Sequence, residues 1–513
     1  MKINQLKMGS LLSYGQTFLS ILIGILYTPV MIRLLGKSEY GLYNTVSSTI
    51  AMLSVLSLGF NSSYIRYYAQ YKQEKNEDAI SRLNGLFILI FSIIGAVALT
   101  CGFILTENLH WIFGQGLTPA EYQRAKILML LFSINMGISF PASVFTSIIS
   151  ARERFVVLKL VGMLKTVAGP MVTLPLLLLG YGSVSMVTVT LAVSIFADLI
   201  YLLYTLKNLH CKFKFRNFEK GLFRSLLGFT IFIAVNMIVD QINNNVDKFL
   251  LGRYCGTTAV AVYSAAHTLY NFYVMFSMSV SGVFAPRVHR LVQSTKDDLP
   301  RQRQELTALF TKVGRIQFSA LTLISSGLIF FGKPFIALWA GKDYGDAYYV
   351  ALLLILPASI PLIQNIGIEI QRAQNKHQFR SIAYIFMALI NLIMTVFLCQ
   401  RYGSIGAAVG TAISLLLANG LMMNIFYHKR CRIDILYFWK NILRMALGIL
   451  PALALGTALM LWIDLSNLWV LGAAIAAYCC VYGGGMWLLG FNGYEKNLIA
   501  QPFRKLLKKG GSQ

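Results

Sequence analysis

The chain runs to 513 residues, 56% of them hydrophobic and only 13% charged, with a mean hydropathy of +0.63. Soluble domains carry about 25% charged residues, so a water-soluble enzyme is excluded, as is a disordered or fibrous chain. The net charge of +25 falls in short gaps between long apolar runs, which argues for loops facing an anionic leaflet and against nucleic-acid binding.

A helix needs about 20 predominantly apolar residues to cross the hydrocarbon. That ruler predicts spans at 10–34, 41–65, 83–106, 127–150, 156–180 and 183–206. Eight more follow at 224–252, 257–285, 308–331, 347–371, 379–399, 404–427, 441–463 and 466–489. The expected fold class is an all-α polytopic membrane protein with 14 transmembrane helices. Alternate loops hold 35 of the 45 lysines and arginines, and the positive-inside rule then puts both termini in the cytoplasm. The first apolar stretch is longer than a signal-peptide core and no small-residue cleavage pattern follows, so it is read as a retained span. The seven cysteines form no CxxC pair and are read as free thiols.

The chain repeats itself. Arg-Leu-Leu-Gly ending at Gly36 has a counterpart in Lys-Phe-Leu-Leu-Gly ending at Gly252. Pro-Ala-Ser recurs at 141–143 and 357–359, and Tyr-Gly-Ser at 181–183 and 402–404. Near-constant offsets in one order predict two parallel six-helix lobes related by a pseudo-two-fold axis along the membrane normal, a transporter arrangement. The expected domains are an N-lobe over 1–207, a cytoplasmic linker over 208–223, a C-lobe over 224–428, and two further spans with a basic tail over 429–513.

This organisation, with Gly-Lys-Ser-Glu-Tyr-Gly-Leu-Tyr at 36–43, Leu-Gly-Phe…Tyr-Ile-Arg-Tyr at 58–67 and Val-Asp-Lys-Phe-Leu-Leu-Gly at 246–252, resembles the Wzx-type polysaccharide flippases. These belong to the multidrug/oligosaccharidyl-lipid/polysaccharide exporter superfamily. The resemblance implies transfer of an undecaprenyl-pyrophosphate-linked oligosaccharide from the inner to the outer leaflet of the bacterial inner membrane by alternating access. It also implies O-antigen or related polysaccharide biosynthesis, with the polymerase and chain-length machinery as partners. A lipid II flippase and a multidrug cation antiporter of the same fold are the alternatives.

Ionisable residues at membrane depth cost roughly 2.5–3.5 kcal/mol on insertion scales and so face a cavity or a partner. The seventh span is the most polar, carrying Asn236, Asp240, Asn244, Asp247 and Lys248. Over 29 residues a straight helix would reach about 43 Å, more than the ~30 Å of hydrocarbon, so it is expected to bend or unwind beside an inter-lobe cavity. Arg33 and Lys248 hold matching repeat positions and are the expected pyrophosphate contacts, with Arg253 at the outer rim, Arg66 at the entry, and Asn236 and Asn244 lining the path. Asp240, Asp198, Asp247 and Glu369 are candidates for coupling to a proton or sodium ion. For Glu369 a pairing with Arg372 competes with that role, and His267 is read as a core histidine. No catalytic or metal-binding set is expected and no cofactor. Gly36-Lys37-Ser38 lacks the earlier glycine of a phosphate-binding loop, since position 31 is Met, and no loop is large enough for a catalytic domain.

Overall fold

The computed structural model describes residues 5–114, 116–216, 221–498 and 500–501. Part of the expected linker, 217–220, and the basic tail from 502 lie outside the described residues. The described chain is helical throughout, and ten of its helices are long and apolar enough to cross a membrane.

Two of those ten are too long for one crossing. Met8–Gln73 spans 66 residues, roughly 100 Å as a straight rod, and Phe379–Lys429 spans 51. Each breaks at a glycine. Gly36 sits at φ 75° and ψ 170°, and Gly403 at φ 57° and ψ −136°, backbone regions that glycine enters without a Cβ penalty. A further turn follows the 3₁₀ stretch Met52–Ser57, where Leu58 and Gly59 are both left-handed. The seventh expected span divides into helix Leu222–Gln241, a wider π-helical turn over Ile242–Val246, and helix Asp247–Tyr254. The backbone thus stays helical through the polar run, where it widens rather than breaks.

Local chemistry sets the helix starts. Thr118 and Glu121 form a reciprocal capping box ahead of Pro119–Ala151, with Pro119 at the first turn. Asn76, Asp298, Asp434 and Asn467 each accept from a backbone N–H of the helix they open.

Some stretches that match in sequence also share turn geometry. After Pro119–Ala151 the chain turns with Glu153 left-handed, and after Ile366–Ala373 it turns with Asn375 left-handed. Both turns are closed by the same backbone pattern, Arg154 N–H to Ile149 O and Lys376 N–H to Gln371 O. Gly182 and Gly403, the paired glycines of Tyr-Gly-Ser, share positive φ. Gly36 and Gly252 do not. Gly252 lies inside a helix where a Cβ would meet the Thr45 side chain at 2.5 Å, and the left-handed break comes at Gly256.

The chain forms two compact units, Met1–Ser264 with Ala388–Ala407, and Ala265–Met387 with Ala408–Gln513. The first has an aromatic core around Phe60, Tyr64, Phe87 and Phe91, and an aliphatic one around Leu42, Val46, Leu128 and Val187. The second packs Phe331, Met445, Tyr478, Tyr482 and Met486. In it Arg315, 8% exposed, pairs with Glu495, 4% exposed, at 2.7 Å.

Candidate functional site

The ionisable residues singled out above fall into two groups. Some are engaged with neighbours inside the protein. Asp247 is buried and accepts from the Tyr263 hydroxyl at 2.6 Å and from Thr395 Oγ1 at 3.2 Å. Arg253 donates to the carbonyls of Trp111 and Ile112, tying the end of helix Asp247–Tyr254 to the short helix Leu109–Phe113. Glu369 pairs with Arg372 at 2.7 Å and approaches His289 Nε2 at 3.7 Å. His267 is buried and its Nδ1 meets the Asn271 amide at 3.1 Å, in keeping with a core histidine.

The second group is exposed or half-buried. Arg33, Arg66, Asn236, Asp240 and Asn244 are exposed, and Lys248 is half-buried beside Asp247. The Asn244 amide donates to the Asp240 backbone carbonyl at 2.7 Å, bracing the widened turn. Asp198 is half-buried within electrostatic reach of Lys165, and its Oδ2 has no hydrogen-bond partner among the described residues.

The Gly-Lys-Ser-Glu-Tyr-Gly motif has a structural task. Ser38 and Thr257 both donate to Glu121 Oε1, at 2.6 and 2.7 Å. Glu39 accepts from the Ser183 backbone N–H and hydroxyl and pairs with Arg124 at 3.0 Å. A Cβ on Gly41 would lie 1.9 Å from the Thr257 carbonyl, so the close approach there requires glycine. The motif is a latch among helix ends.

Sequence reasoning missed a cavity in the first unit that carries two unpartnered buried polar atoms. Its volume is about 400 Å³. Ser47, Ser54, Ser57 and Asn61 approach it from the segment that turns at Leu58–Gly59, and Asn135, Ser139 and Ser143 from helix Pro119–Ala151. Positions 135, 139 and 143 are four apart and share a helix face. Phe132, Phe140, Ile50, Met136 and Met237 supply apolar wall. The turn itself shapes the space: a Cβ on Gly59 would lie 2.3 Å from Ile233 Cγ2, and Ser57 Oγ rests 3.9 Å from the Met237 sulfur. None of the described lining residues is ionisable. Ser54 Oγ and Asn135 Oδ1 are buried without a hydrogen-bond partner among the described residues. Asn61 Oδ1 accepts from Ser147 at 3.1 Å. A buried polar atom left unsatisfied costs about 1–3 kcal/mol, so two around one hollow mark it as built for a polar occupant. The signal was legible as a polar period of three, four and seven residues inside apolar spans, but serines there commonly bond back to their own helix.

Residues 6–292, which contain every described residue lining this cavity, match the model of a family described as polysaccharide biosynthesis protein. The chain belongs to that family. Among curated relatives, this polysaccharide biosynthesis protein is 20% identical to a putative O-antigen transporter of Shigella flexneri, over 80% of this chain and 95% of that one. It is 23% identical to a probable low-salt glycan biosynthesis flippase, Agl15, of Haloferax volcanii, over 64% of this chain and 73% of that one. Among solved structures, the lipid II flippase MurJ in an inward closed conformation superposes with a TM-score of 0.73 at 20% identity, covering 96% of this chain and 99% of that one. An inward-facing MATE-family multidrug resistance transporter of the MOP superfamily gives a TM-score of 0.60 at 13% identity, over 82% of this chain and 99% of that one. The fold is thus one shared with MurJ and with the MATE transporter, and the protein is a multi-pass membrane protein.

Proposed function

We propose that the protein is a flippase that carries an oligosaccharide linked to undecaprenyl pyrophosphate from the cytoplasmic to the outer leaflet of the bacterial inner membrane. The observation that carries this reading is the uncharged hydroxyl-and-amide cavity within the family-matched segment. A cation exporter would need a carboxylate where this cavity has serines and asparagines, which favours the sugar over the organic cation. The names of the Shigella and Haloferax relatives support the same substrate class.

In this reading the chain crosses the membrane fourteen times as two six-helix lobes and a final pair, with both termini cytoplasmic. Arg66 receives the pyrophosphate at entry and Arg33 and Lys248 hold it further along, while Arg253 and Asp247 shape the helix that presents Lys248. Asp240 and Asp198 couple a proton or sodium gradient to alternating access.

The test is reconstitution into liposomes bearing the lipid-linked oligosaccharide, following how fast the sugar becomes accessible on the opposite face. The wild-type protein is expected to accelerate this while leaving a fluorescent organic cation in place. Arg33→Ala and Lys248→Ala are each expected to cut the rate at least tenfold with unchanged detergent stability. Proton-driven cation movement without sugar movement would overturn the assignment.

A further inference from the structure

The cavity between Ser54 and Asn135 can be read more finely than as a place for sugar in general. We propose that it seats an uncharged part of the saccharide, a neutral or N-acetylated residue, and turns away sugars carrying carboxylate, sulfate or phosphate. The proposal rests on the flippase reading and names the substrate class of that site.

Its volume, about 400 Å³, lies in the range of small-ligand sites, about 300–1,000 Å³. The atoms it offers decide the chemistry. Asn135 Oδ1 is an acceptor and Ser54 Oγ is both donor and acceptor, each buried and without a partner among the described residues. They call for an occupant that brings O–H or N–H donors, which sugar hydroxyls and acetamido groups do. Asn61, whose oxygen accepts from Ser147, also carries amide N–H donors that suit an occupant's hydroxyl or amide carbonyl.

An anion fits poorly. A carboxylate brings a full negative charge and would find no cation among the described lining residues. A charge taken out of water without a paired opposite charge is strongly disfavoured. An organic cation finds no carboxylate. A lipid tail would leave both polar oxygens unsatisfied. The Phe132 and Phe140 rings provide apolar surface for the C–H face of a pyranose, so one hollow holds both surfaces that such a ring presents.

The experiment uses the full chain in liposomes with two lipid-linked disaccharides on the same undecaprenyl pyrophosphate, one built from N-acetylhexosamine and one carrying a uronic acid. Wild-type protein is expected to move the neutral substrate at least tenfold faster. Asn135→Ala and Ser54→Ala should raise the neutral substrate's half-saturating concentration several-fold, with unchanged thermal stability in detergent. Asn135→Lys should narrow or reverse the preference, and if that variant does not fold, Asn135→Asp serves instead, widening it by adding a repelling charge. Equal transport of both sugars by the wild type, or wild-type saturation in both alanine variants, would overturn the neutral-sugar seat while leaving the flippase assignment standing. Movement of neither lipid-linked sugar would overturn both.

Discussion

Arg315 makes four side-chain hydrogen bonds within the second unit, and nothing in the sequence marks it. Its guanidinium holds both oxygens of Glu495, at 2.7 and 2.8 Å, and the carbonyls of Gly490 and Asn441. The partners are 180 residues apart, and no periodicity connects them. Removing one member of a buried pair strands the other and costs about 3–5 kcal/mol. Arg315→Met should therefore lower the thermal midpoint in detergent sharply, and adding Glu495→Gln should recover most of the loss. Legibility of the individual charges was uneven for the same reason. The residue types and depths of Asp247 and Arg253 were plain, but a helix does not disclose which side chain turns inward, and both meet local partners. Cys431 gives a check outside the spans. Burial pushes its thiol up to about 12, so the neutral form persists well above the usual thiol range near 8.5. Its maleimide labelling should stay negligible between pH 7 and 9 in native protein and become rapid on denaturation, as read by mass spectrometry of the modified peptide.

Among the elements, apolar length located the long helices, because desolvating a helix leaves a compositional trace that does not depend on its neighbours. Breaks were legible where glycine carried them, at 36 and 403. The turn at 52–59 was not, since the ruler ran one span over 41–65 and Leu58 adopts a left-handed conformation that its side chain disfavours. That turn builds the cavity, so the missed element and the missed site are one error. Two glycines separate the effects involved. At Gly36 an added methyl would meet nothing within 4 Å, so Gly36→Ala bears only the backbone cost of an extended positive-φ region that glycine alone enters freely, about 1–3 kcal/mol. Gly59→Ala adds overpacking against Ile233, typically about 1–3 kcal/mol more. The second variant should be the less stable in thermal melts, and pairing it with Ile233→Ala should return it toward the first.

For the whole molecule, the turns that follow the two Pro-Ala-Ser segments, at 152–154 and 374–376, were legible because such turns demand particular residues, and they share one hydrogen-bond pattern. The membership of the compact units was not recoverable, since which helix joins which core is decided by packing. Ala388–Ala407 belongs with Met1–Ser264, held there by Thr395 on Asp247 and by Cys255 Sγ on the Cys399 carbonyl at 3.1 Å. A chain ending at 264 should accordingly be degraded when expressed alone, and co-expression of 265–513 should restore its level on immunoblots. Equal abundance with and without the second fragment would count against this dependence.

That discontinuous membership also sets a timetable. Ribosomes add about 5–20 residues per second, so roughly 7–30 s of synthesis separate Ser264 from Ala407. For most of that interval the first unit is already emerging, yet the Thr395 hydroxyl that bonds Asp247 has not been made. Nascent chains must therefore wait in an unfinished state, and the insertion machinery has to shelter a polar helix until its late-arriving neighbour is delivered.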